Sequence, residues 1–253
     1  MSSADRNFIN SLANGLEFLM SFTKDNPRLS LTELAKANAM NLPTARRYIH
    51  TLAKLGFIVK DEKDQTFQLT AKVMRLGSGV FSSMNLRERL LPFMRNINRG
   101  LDVTTHCAIL DGTEVVNIER LRSKDVVNLD ITVGTRLPAY ATSLGKAILA
   151  FLPKTAQKSI IRQISFRSIT PMTITDPDIF LEELRKTNER GYAIAVQELT
   201  LGLKTMAVPI LNGDRTVKAA FGVSYPMHRE KDDIWEGKLI KSILTVKDQL
   251  GLF

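Results

Sequence analysis

Between Leu42 and Leu55 the chain reads LPTARRYIHTLAKL, and one side of it carries cations with no acid to balance them. Wound as a helix at 100° per residue, Leu42, Ala45, Ile49 and Leu52 fall on one side, flanked by Tyr48 and Leu55. The other side is a stripe of Pro43, Arg47, His50 and Lys54, bordered by Thr44, Arg46 and Thr51. A solvated helix normally mixes charge signs, because Glu–Lys pairs one turn apart support it. A face built from guanidinium, ammonium, imidazole and hydroxyl groups suits phosphate oxygens and guanine edges. The plainer alternative is an ordinary basic surface helix.

Catalytic patterns are sparser. Ser143-Leu144-Gly145-Lys146 matches the S-x-x-K arrangement of penicillin-recognising acyl-enzymes, in which a lysine helps activate a serine at a helix start. The companion S-D-N and K-T-G elements are absent, although Lys204-Thr205 comes near the second. The competing interpretation is a helix cap followed by a surface lysine. His106 and Cys107 are neighbours, so on a strand their side chains face opposite ways and cannot form a nucleophile–base pair. The histidines at 50, 106 and 228 show no metal-ligand spacing, and no glycine-rich phosphate loop occurs. No metal and no cofactor is expected. The alternative function to carry forward is a serine acyl-enzyme or esterase fused to a basic domain.

The elements around the basic stripe explain its placement. Ser30-Leu31-Thr32-Glu33 is a capping box opening a short helix, Asn38 to Asn41 interrupts it, and Pro43 suits the first turn of the next helix. Gly56 ends that helix. Phe57–Lys60 and Thr66–Thr70 then read as two strands about the turn Asp61–Gln65, and Phe8, Leu12, Leu16 and Leu19 repeat at helical spacing upstream. Residues 1–70 therefore form a winged helix-turn-helix. Residues 71–85 are a linker helix broken by Gly77-Ser78-Gly79, with Met74, Leu76, Val80, Phe81 and Met84 too apolar for a free tether.

Residues 86–253 read as an α+β effector-binding domain with an antiparallel, sensor-like (GAF/PAS-like) sheet. Leu86 to Leu101 is helical, with a start near Pro92 as an alternative. Strands at Val103–Leu110 and Glu114–Leu121 flank Asp111-Gly112, and VVNLDITV (Val126–Val133) reads as a third. Helices follow at Thr142–Leu152 and Asp178–Arg190. Strands are expected at Tyr192–Val196, Met206–Leu211 and Val217–Val223, then a last helix from about Lys231 to Leu250.

Bulk properties agree. A formal charge of +9 over 253 residues favours polyanion partners through counterion release. With 44% hydrophobic residues the chain can bury a substantial core. A single cysteine, Cys107, fits a reducing cytoplasm, and neither a signal peptide nor a membrane span is evident.

The layout resembles the IclR family of bacterial transcription regulators over nearly the whole chain. The segments that carry the likeness are Arg46–Phe57, VGTRLPAYATSLGKA (Val133–Ala147), Arg190-Gly191-Tyr192-Ala193 and QELTLGL (Gln197–Leu203). The RLPAYATS and QEL-x-x-GL wording is similar to the subgroup that controls catabolism of protocatechuate, 4-hydroxybenzoate and related aromatic acids. Ala195 departs from the acid that many members carry there. The resemblance implies a ligand-responsive regulator that binds a double-stranded DNA operator as a dimer able to form tetramers. It implies an effector pocket including Tyr140, Ala141, Thr142, Ser143, Thr205 and Ser224. A helix start at Thr142 would suit the carboxylate of a small organic acid. Arg136 or Arg120 would clamp that acid, and His106 would meet a phenol. Against these stand plain alternatives, structural ion pairs for both arginines and a satisfied core histidine for His106.

Overall fold

The computed structural model describes residues 8–23, 25–76, 86–124, 131–212, 214–229 and 233–250. The chain divides into two compact units, residues 1–84 and 85–253.

The first unit contains helices α1 (Asn10–Met20), α2 (Leu31–Ala37) and α3 (Leu42–Lys54), then a hairpin of β1 (Ile58–Lys60) and β2 (Phe67–Leu69). The capping box forms as the sequence implies: the Ser30 Oγ accepts from the Glu33 N–H, and the Ser30 N–H donates to Glu33 Oε2 at 2.8 Å. Asn41 Oδ1 accepts the Thr44 N–H at 2.9 Å and starts α3. Phe18, Leu34, Ala45, Ile49, Leu52 and Ile58 make the core. Two expectations fail here. The stripe expected to bury α1 is largely outside, with Phe8, Leu12 and Leu16 exposed, because Phe18 turns inward and stacks on Tyr48 at 5.8 Å. Leu42 is exposed as well, since it occupies the first turn of α3, beyond the reach of the core.

A single 3-10 turn at Ala71–Val73 follows, and the chain is helical again at Met74–Leu76, where both Met74 and Leu76 are exposed. The glycines of the expected linker helix, with Val80, Phe81 and Met84, lie outside the described residues.

The second unit is one antiparallel six-stranded sheet in the order β5-β4-β3-β8-β7-β6. Its strands are β3 (Thr104–Asp111), β4 (Glu114–Leu121), β5 (Arg136–Pro138), β6 (Ala193–Val196), β7 (Leu203–Leu211) and β8 (Val217–Pro226). The helices are α4 (Leu86–Leu101), α5 (Ser143–Phe151), α6 (Lys154–Ile161), α7 (Pro177–Arg190) and α8 (Asp233–Leu250). Pro92 lies inside α4 and does not start it. Of the expected third strand, residues 125–130 are outside the described set, and Ile131 to Val133 run into a turn at Gly134 (φ +88°). The edge strand is Arg136–Pro138 instead. Helix α6, begun by Pro153, was not anticipated because its apolar residues are too few to set a period.

The two faces of the sheet differ in side-chain size. One presents Ala108, Ala193, Ala207 and Ala220, over which α5 lies with every residue from Ser143 to Ala150 buried. Small side chains allow that close approach, and Gly145 lets α5 pack on the turn before it, since a Cβ there would collide with the Ala139 backbone. The other face presents the alternate residues. Thr105 reaches the Met94 carbonyl on α4, and Tyr225 packs edge-on against Trp235 of α8 at 4.8 Å.

Candidate ligand cleft and nucleic-acid interface

The cleft lies where the alanine-lined face runs past the start of α5. Register fixes its floor. His106 on β3 pairs with Arg120 on β4 and Gly222 on β8, so the three share one face; Thr205, Ser224 and Ala195 form the adjoining row. Gly222 lets the imidazole lie flat on the strand, because a Cβ there would come 2.8 Å from His106 Nε2. Burial, helped by the charge of Arg120, lowers the His106 pKa to about 3, so the ring is neutral near pH 7. Its Nε2 is enclosed and has no hydrogen-bond partner among the described residues. Burial followed by repulsion from Arg122 lowers the pKa of Arg120, which remains a cation at neutral pH. One of its Nη atoms donates to the Ile131 carbonyl at 2.7 Å.

The roof is the first turn of α5. Thr142 caps it, its hydroxyl accepting the Gly145 N–H at 3.1 Å, and Ser143 is buried beside it. The early N–H groups of such a turn lack intrahelical partners and carry the positive end of the helix dipole. The QELTLGL loop closes the third side. There Lys146 of α5 is 1% exposed and meets Glu198 Oε1 at 2.5 Å. Burial raises the Glu198 pKa, and Lys146 opposes that rise.

Of the expected pocket residues, His106, Arg120, Ala141, Thr142, Ser143, Thr205 and Ser224 line one cleft. Two do not. Arg136 is on the exposed edge strand and bridges Glu114 and Asp111, each at 2.7 Å, which makes it a structural ion-pair residue. Tyr140 turns into the core against Phe166, and its hydroxyl donates to the Arg167 carbonyl at 2.8 Å. Sequence reasoning also missed Asn117 and Glu198 in the lining, and Ala195, singled out there only as a departure from the family's acid, lines it too. A β-bulge between Cys107 and Ala108 shifts the register that brings Asn117 onto this face, and strand alternation alone does not disclose that. Lys146 is no surface lysine either. Its donors go to Glu198 and to the Ile194 carbonyl, which gives no support to lysine activation of Ser143.

On α3, Arg46, Arg47, His50 and Lys54 are exposed, and among the described residues none of the three cations has an ion-pair partner. Thr44 is half-buried beside Arg47, and the Thr51 hydroxyl donates back to the Arg47 carbonyl at 2.9 Å. Arg28, by contrast, is neutralised by Asp61 and Asp64 of the wing. No helix among the described residues is long and apolar enough to cross a membrane, and no group of histidine, cysteine and acidic side chains there is arranged to hold a metal.

Comparison with known proteins agrees with both units. The model of the IclR helix-turn-helix domain matches residues 11–62, and that of the bacterial transcriptional regulator IclR C-terminal domain matches residues 78–250. The Pca regulon regulatory protein of Pseudomonas putida is 29% identical over 98% of this chain and 85% of its own length. The p-hydroxybenzoate hydroxylase transcriptional activator of Acinetobacter baylyi is 35% identical over 84% of this chain and 80% of its own. Among solved structures, the inducer-binding domain of a double mutant of the PobR transcription factor from Acinetobacter, in complex with 3-hydroxybenzoic acid, superposes with a TM-score of 0.60. It is 27% identical and covers 65% of this chain and 96% of that one. The chain belongs to the IclR family of bacterial transcription regulators and is a ligand-responsive, DNA-binding regulator.

Proposed function

We propose that the effector is a small aromatic carboxylate and that its binding in the α5 cleft controls operator binding by α3 in a cytoplasmic regulator of catabolic genes. The observation that carries this is the cleft's division of labour: a cation, Arg120, and the first turn of α5 beside a neutral, unmet imidazole, His106. A carboxylate is stabilised by the guanidinium and the helix dipole. A neutral imidazole donates or accepts without competing for charge. The relatives' names, which concern p-hydroxybenzoate and 3-hydroxybenzoic acid, support the same ligand class.

On the DNA side, Thr44, Arg47 and His50 approach base edges, while Arg46, Thr51 and Lys54 lie nearer phosphates. One helix-turn-helix reads few base pairs, so the active form is a homodimer, able to pair into a tetramer, with the exposed Met74 and Leu76 packed against a second copy. Calorimetry against a panel of hydroxybenzoates tests the ligand class; no binding by any of them overturns it. Sedimentation at micromolar concentration tests the assembly, and a species of 28.3 kDa alone overturns that.

A further inference from the structure

The loop that closes the cleft brings a carboxylate into it whose second oxygen the pairing with α5 does not use. Glu198 is 6% exposed and lines the same cleft as His106 and Arg120. Its Oε1 is taken by Lys146 and the Ile174 N–H lies near the carboxylate, but Oε2 is enclosed and makes no well-formed hydrogen bond among the described residues. The loop is held firmly enough to aim it. Thr170 Oγ1 donates to the Gln197 carbonyl at 2.6 Å, and Thr173 Oγ1 donates to the Glu198 carbonyl at 2.7 Å. The Gly202 N–H closes the turn on Gln197 Oε1 at 2.8 Å.

An ionised carboxylate has only acceptors to offer, and a buried acceptor left unmet is unfavourable until a donor arrives. We propose that Glu198 is a specificity-determining residue of this cleft, whose Oε2 accepts a hydrogen bond from a hydroxyl on the bound acid. The inference rests on the aromatic-carboxylate reading and adds which substituted acids the cleft selects. Lys146 has a defined part in it. By neutralising Glu198 from the side of α5, it keeps the carboxylate from repelling an anionic ligand while leaving Oε2 able to accept a hydrogen bond. A ligand without the hydroxyl leaves Oε2 unmet, and discrimination of this kind, against an analogue that lacks a hydrogen-bonding group, is strong.

The test is calorimetry on the full chain with benzoate, 3-hydroxybenzoate and 4-hydroxybenzoate. In the wild type at least one hydroxy acid is expected to bind tenfold or more tighter than benzoate. In the double variant Lys146→Met with Glu198→Leu, which removes the pair together, that preference shrinks to within threefold. Should the double variant not fold, Glu198→Asp, which withdraws the carboxylate by one methylene, is expected to lose the same preference. Benzoate binding as tightly as both hydroxy acids in the wild type overturns the role of Glu198 and leaves the aromatic-acid reading standing. A preference that survives in the variants also overturns it. Binding by none of the three acids removes both.

Discussion

Gly222 stands across the β3–β8 pair from His106, and a methyl group placed on it would come 2.8 Å from the imidazole Nε2 and 2.8 Å from the Met206 carbonyl oxygen. The ring can swing away; the backbone oxygen cannot. Gly222→Ala is therefore expected to displace His106 from the cleft floor and strain β7 against β8, an overpacking cost of about 1–3 kcal/mol. Effector affinity should fall at least tenfold, while non-specific DNA binding, which belongs to the other unit, stays at the wild-type level. Calorimetry and a DNA mobility-shift assay on the same preparation check both halves. Unchanged effector affinity would show that the ring's position does not matter.

The buried neutral state of His106 makes stability depend on pH. Its native pKa of about 3 lies below the ordinary 6.5, so between these values the unfolded chain holds a proton that the native chain lacks. The contribution is complete above about pH 6.5 and is lost as pH falls toward 3, at up to about 1.4 kcal/mol per pH unit. Urea unfolding followed by the fluorescence of Trp235, the chain's one tryptophan, should show this slope between pH 6.5 and 4.5. His106→Asn should flatten it.

Lys146 and Glu198 should be far more costly to separate than to remove together. Lys146→Met leaves a buried carboxylate without its charge partner and should destabilise the second unit by about 3–5 kcal/mol. Adding Glu198→Leu should recover most of that loss. Thermal melts of the two variants decide: equal melting temperatures would mean the pair is not energetically coupled.

The basic helix was legible because its evidence is local. The absence of acids opposite Ala45, Ile49 and Leu52 needs only the helical period, and the capping box and Pro43 place the helix ends. The hairpin at Asp111-Gly112 and the end of α7 at Gly191 (φ +84°) were equally local. What sequence reading missed depends on contacts distant in the chain. Arg136 sits in the segment whose likeness suggested a pocket, yet its direction is set by Glu114 and Asp111, more than twenty residues earlier. Glu198 was in a quoted segment too, but its partner Lys146 is 52 residues away, and an i,i+3 serine–lysine pattern drew attention to the wrong neighbour. The face of α1 was misjudged because two apolar stripes compete there, and only packing against Tyr48 decides between them.

Arg47 should carry specificity and Lys54 bulk affinity. A bidentate arginine–guanine contact provides about 1–3 kcal/mol of discrimination, so Arg47→Ala should bring operator binding close to non-operator DNA without changing the melting temperature. Lys54→Ala should weaken both DNAs alike and reduce the salt slope by about one. Fluorescence anisotropy across a salt series separates the two. Wild-type operator affinity in Arg47→Ala would remove Arg47 from the base-reading set.

Arg120 and Arg136 give the sharpest contrast, because both were clamp candidates and only one lines the cleft. Arg136 is 46% exposed at its side chain and engages two exposed acids, so Arg136→Ala should cost at most about 1 kcal/mol of stability. Effector affinity should not change. Arg120 calls for the subtler substitution, since it also donates to the Ile131 carbonyl. Arg120→Lys keeps the charge but loses the planar fork that matches a carboxylate. It should weaken effector binding tenfold or more while leaving the melting temperature within a few degrees of wild type. Calorimetry on the two variants side by side checks the assignment. If Arg136→Ala weakens effector binding and Arg120→Lys does not, the carboxylate end of the ligand has been placed at the wrong arginine.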